Sequence, residues 1–150
     1  MYDCTADILA HRSRVAGRIS RIISALIERS AKHDLSKLSE PEKSIFDKIK
    51  PEMRKVEREF GYGSPQWQEQ YDRVSVALRH HYSVNDHHPE HFPNGVNGMS
   101  LVSLLEMLAD WKSAAEENGH EINFEHVCER FGIEPQLKSI LAATLKELEW

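Results

Sequence analysis

Apolar residues recur at steps of three and four through most of this chain, and nowhere do they alternate with polar residues for long enough to build a sheet. A sequence patterned that way buries helix faces against one another, so the expected fold class is all-α. Caps and breakers divide it into about six helices, read here as one domain over residues 1–150. That length supports a hydrophobic core without a disulfide or a structural metal.

The first helix is expected from about Thr5 to Arg29, capped by Thr5 or Asp3, with Ile8, His11, Val15, Ile19, Ile22 and Leu26 on its inward face. Ser39 and Glu42 have capping-box spacing and Pro41 suits a first turn, which predicts a second helix from near Ser39. Ser64 caps a third, from about Pro65 to Tyr82, on which Trp67, Tyr71, Val74, Leu78 and His81 share one stripe. Ser83 to Gly98 has loop chemistry. Ser100 caps a helix with Leu101, Leu104, Leu105, Leu108 and Trp111 on its apolar side, and two packing helices follow, about Asn123–Phe131 and Glu134–Leu148.

Lys and Arg (19) are outnumbered by Asp and Glu (24), so the surface lacks the basic excess that phosphate backbones require, and no nucleic-acid partner is expected. Two distant cysteines, Cys4 and Cys128, suit a reducing compartment. With no secretory h-region and no membrane-length apolar run, the expected location is the cytoplasm, without a membrane partner. Trp150 and the apolar last helix offer a face to a neighbour, which leaves a homo-oligomer open.

Five of the nine histidines, His80, His81, His87, His88 and His91, fall within twelve residues, and the next helix carries Glu106 and Asp110. Imidazole is the commonest protein metal ligand, and this density points to a site. His81 lies on the apolar stripe with His80 about 100° around from it, so His81 is the preferred ligand of that pair. Adjacent His33 and Asp34 form a second half-site. Mixed imidazole and carboxylate ligands suit one or two divalent ions (Mn, Fe, Co, Zn or Mg). Such ions activate water and clamp phosphoryl oxygens. Lys37, four after His33, is placed to hold a phosphate oxygen. Asp34 is also a catalytic candidate, and His91 or Glu106 is read as a proton relay.

HDLSK at 33–37, HH at 80–81 and 87–88, and an Asp on the following helix together resemble the HD-domain superfamily of metal-dependent phosphohydrolases, with a layout similar to the HD-GYP phosphodiesterases. Over nearly its whole length the chain looks closer still to a family of short bacterial and phage proteins of uncharacterised function, marked by HDxSK, HHYxxNxHHPEHF and EMLADW segments. The resemblance implies that His33 and Asp34 are the HD pair, that His81 (or His80) and His88 (or His87) are further ligands, that Asp110 closes the shell, and that Lys37 meets the substrate phosphate. The GYP tripeptide is absent and Pro89 follows the second HH, which weakens the case for a cyclic-dinucleotide substrate. His11 matches the first superfamily histidine by order. One continuous helix would separate it from His33 by about 33 Å, so His11 joins the shell only if the chain reverses between about Ser20 and Ser30.

The function expected from this is a metal-dependent phosphohydrolase acting on a small phosphorylated, nucleotide-like molecule. Two alternatives stand beside it: an HD-type di-iron oxygenase, and a non-catalytic, metal-stabilised binding protein.

Overall fold

A computed structural model describes residues 3–61 and 63–150. The described residues form helices and turns with no strand: α1 (Thr5–Lys32), α2 (Glu42–Phe60), α3 (Pro65–Val84), α4 (Leu101–Glu117), α5 (Phe124–Arg130) and α6 (Pro135–Glu147). Short 3-10 turns at Leu35–Leu38, Pro89–His91 and Gly95–Gly98 fill the connections. The all-α expectation holds. By their contacts, the residues group into two compact units, Met1–His33 and Asp34–Trp150.

The first unit is α1. Asp3 Oδ1 accepts hydrogen bonds from the backbone N–H and hydroxyl of Thr5, fixing the start of the helix. The periodicity of Ile8, Val15, Ile19, Ile22 and Leu26 is real, but no residue of α1 is buried, and Ile8 is 52% exposed. The face read as inward is exposed at Ile8, Val15, Ile19 and Ile22 and half-buried at Leu26, and His11 is exposed. The helix runs unbroken through Ser20–Ser30. Twenty-two residues of α-helix put His11 about 33 Å from His33, which excludes an ion shared by those two side chains.

In the second unit, α2 and α3 form an antiparallel hairpin around Phe46, Ile49, Val74 and Ala77, all buried. Gly61, at φ 86°, ends α2 with its N–H on the Glu57 carbonyl, a backbone state that favours glycine. Ser64 Oγ accepts the Trp67 N–H at 3.2 Å and opens α3 as expected. The capping box at Ser39 does not form. The helix begins at Glu42, Ser39 bonds back to the Ser36 carbonyl, and the Glu42 carboxylate turns inward.

The other core lies under α4, where Leu104, Met107 and Leu108 pack with Val96, Cys128, Ile133 and Leu141, against Trp111 and Phe131 stacked at 5.6 Å. Burying side chains such as Met107 and Leu108 contributes about 1.5–3 kcal/mol each. Leu101, read as part of this face, is exposed because it sits on the first turn, ahead of the core. Ser100 Oγ caps α4 by accepting the Ser103 N–H at 3.1 Å. Gly98 is needed for close packing, since a Cβ there would stand 2.8 Å from Phe92 Cβ. Cys4 is exposed, Cys128 is buried, and both are free thiols. Among the described residues no helix is long and apolar enough to cross a membrane.

Candidate metal centre

Glu42, Phe46 and Ile49 are spaced four and three apart and form the buried face of α2. Val74, Ala77 and His81 do the same on α3. Packing these faces together brings a carboxylate and an imidazole to one end of the hairpin. There Glu42, with 0% exposure, uses both oxygens: Oε1 is 2.8 Å from His80 Nδ1, and Oε2 is 2.9 Å from His81 Nδ1. A carboxylate only accepts, so each Nδ1 carries the proton and donates. That tautomer leaves the His81 Nε2 lone pair free on the opposite side of the ring.

His81 Nε2 stands 3.2 Å from Asp34 Oδ1 and 2.9 Å from His88 Nε2. His87 Nε2 approaches the same Asp34 oxygen at 3.5 Å, while its Nδ1 lies 3.1 Å from Glu106 Oε1. The geometry at His87 repeats that at His81: a carboxylate behind the ring, and Nε2 aimed at Asp34. One ligand atom from each of Asp34, His81, His87 and His88 falls in a group whose members all lie within 4.8 Å of one another. Ligands about 2.1 Å from an ion stand about 3.0 Å apart at right angles and about 3.4 Å apart in a tetrahedron. The observed 2.9, 3.2 and 3.5 Å bracket both values, so these groups could hold a metal ion.

Local backbone puts each donor in place. Asp34 adopts the left-handed conformation, φ 58° and ψ 12°, at the entry to the 3-10 turn, which bends the chain directly at the carboxylate. Lys37, in that turn, donates to Asp34 Oδ2. Asn85, after the last residue of α3, donates to the His81 carbonyl and to Ser36 Oγ, both at 2.8 Å, and so ties the loop to the turn. His91 Nδ1 donates to the Tyr82 carbonyl at 2.9 Å and anchors the far end of the loop. On α4, Ser103, Glu106 and Asp110 share a face; Ser103 Oγ reaches Asp86 at 3.4 Å, and an Asp110 oxygen lies within 4.8 Å of one of Asp34.

Electrostatics favour a cation. Burial alone would raise the Asp34 carboxyl, but the surrounding His81, His87 and Lys37 side chains outweigh it and hold that group well below the usual carboxylate range. Burial, followed by the nearby His87 and His81, pushes the His88 imidazole down to about 3. His88 is therefore neutral near pH 7, the form that binds a metal.

The family described as "Family of unknown function (DUF5662)" matches residues 1–147. The chain belongs to this family. No curated protein and no solved structure matches it.

In this DUF5662 chain the sequence-predicted residues divide into those that the fold gathers and those that it leaves apart. Sequence spacing favoured His81 over His80, and the structure turns His80 toward Glu42 with its side chain 37% exposed. His88 and His87 stood as alternatives; both converge on Asp34. His33 ends α1 at φ −50°, immediately before Asp34. His91 and Glu106, read as proton relays, hold the Tyr82 carbonyl and His87 respectively. His120 and His126 are exposed. The residue missed was Glu42, taken for a cap. Its signal was register: a glutamate one turn before Phe46 on an apolar stripe.

Proposed function

We propose that the chain is a divalent-metal-dependent phosphohydrolase acting on a small phosphorylated, nucleotide-like substrate. The observation that carries this is the gathering of three imidazoles around the Asp34 carboxylate, with His81 and His87 facing Oδ1 and Lys37 on Oδ2. Asp34, His81, His87 and His88 would hold the ion, with Asp110 beside them. A bound divalent ion would supply Lewis acidity and lower the pKa of water. Glu42 and Glu106 keep His81 and His87 in the tautomer that presents Nε2. Lys37 supplies a mobile positive charge for a phosphate oxygen, a role its compact ammonium suits.

The test is elemental analysis of purified protein combined with phosphate release from a nucleotide panel in Mn²⁺. The expected result is near-stoichiometric metal and turnover of at least one substrate, both abolished by Asp34→Asn. An Asp34→Asn protein with full metal content overturns the site. Metal without turnover transfers the reading to a metal-stabilised binding protein, and a coloured, iron-loaded protein without phosphatase activity transfers it to a di-iron oxygenase.

A further inference from the structure

Beside the cluster lies an open cavity of about 390 Å³, lined by Lys37, Phe46, Asp47, Lys50 and Pro51. This volume falls in the range of small-molecule sites. Lys37 is its shared wall with the metal centre, because the same ammonium donates to Asp34. Lys50 is one turn beyond Phe46 on α2, and its Nζ stands 5.6 Å from the centre of that ring. Among the described residues no carboxylate lies within ion-pair distance of Lys50. Asp47, the one acidic residue in the lining, is engaged by Lys43 at 2.5 Å.

Two lysines thus line one concave surface whose remaining walls are the Phe46 ring, Pro51 and the Lys43-paired Asp47. Burial, then the charge of Lys37, pushes the Lys50 ammonium below the ordinary lysine range. An anion between the two lysines would offset their mutual repulsion.

We propose that this cavity binds the second anionic group of the substrate, so that Lys37 and Lys50 together select molecules with a diphosphate unit over monophosphates. The inference rests on the hydrolase reading and narrows its substrate class. Lys37 receives the group nearest the metal centre, and Lys50 receives the next one outward. The Phe46 and Pro51 walls offer apolar contact to whatever the diphosphate carries.

The experiment is calorimetric titration of full-length wild type and Lys50→Met with inorganic phosphate and with methylenediphosphonate, whose P–C–P bridge resists hydrolysis, each with and without Mn²⁺. Methionine keeps the aliphatic stem over Phe46, and melting curves check the fold. Wild type is expected to bind the diphosphonate about tenfold more tightly than phosphate, and Lys50→Met to lose most of that preference while keeping phosphate and Mn²⁺ affinity within twofold. Comparing the two proteins cancels chelation of Mn²⁺ in solution. An unchanged preference in Lys50→Met, or equal weakening of both ligands, overturns the inference. Protein that takes up Mn²⁺ without any preference overturns this inference alone. Protein that takes up no metal yet shows a Lys50-dependent preference supports the cavity and overturns the hydrolase reading.

Discussion

Glu42 Oε2 stands 2.9 Å from Nδ1 of His81, and both side chains are closed off from solvent. The carboxylate is too far behind the ring to join the convergent atoms, so its effect passes through the imidazole. Glu42→Gln replaces one acceptor oxygen by a donor amide, which sets one of the two histidines in the wrong tautomer. Metal affinity should fall about 10- to 100-fold with far-UV circular dichroism unchanged. Titration with Co²⁺, followed by its visible absorption, measures both the affinity and the ligand field. Wild-type values for both would assign Glu42 to packing alone.

The four loop and helix histidines should separate cleanly by alanine substitution. His81→Ala, His87→Ala and His88→Ala each remove a convergent nitrogen and should lower metal affinity by at least an order of magnitude. His80→Ala, which removes a half-exposed ring on the far side of Glu42, should change it less than threefold. Metal content after dialysis against trace Mn²⁺ ranks them; a His80→Ala loss as large as that of His87→Ala would contradict the assignment.

Acid should destabilise the metal-free protein well above the carboxylate range. An imidazole in the unfolded chain titrates near 6.5, whereas the fold pushes His88 down to about 3, so between those values the unfolded chain binds a proton that the folded one refuses. Stability therefore falls as pH drops through that window, by at most about 2 kcal/mol between pH 7 and 5. Asp34, held low, keeps its contribution throughout that interval. Chemical denaturation at pH 7, 6 and 5 should show the loss in wild type and a smaller one in His88→Gln.

Chelation should reveal the ion as a structural element too. An ion present at 100 times its dissociation constant stabilises the folded state by about 2.7 kcal/mol, because the unfolded chain cannot assemble the site. Removing it with EDTA should lower Tm by roughly 5–11 °C, and Mn²⁺ should restore it. An identical Tm with and without chelator would place the convergent atoms outside any bound ion.

Helix spacing was legible because it depends on local chemistry: the Ser64 and Ser100 caps lie where the sequence puts them. The partner of each face was not legible. The stripe of Ile8, Val15 and Ile19 has the same period whether covered or bare, and here it is bare. At the site, residues named by type and spacing came together, whereas Glu42 was misassigned because Ser39 three residues earlier offered a plausible local partner. The long-range bonds to His80 and His81, 38 and 39 residues away, won over the local one. They turned on the packing of α2 against α3, which no short window of sequence contains.

The left-handed backbone at Asp34 reaches beyond geometry. Besides glycine, asparagine and aspartate are the residues that adopt this conformation most readily. Asparagine at 34 would keep the turn, the helix before it and the hairpin after it, while removing the negative charge on which the cluster converges. The genetic code sets the two amino acids one base apart. Extinguishing this centre is therefore a shorter evolutionary step than unfolding the protein, and a silent, well-folded descendant lies a single transition away.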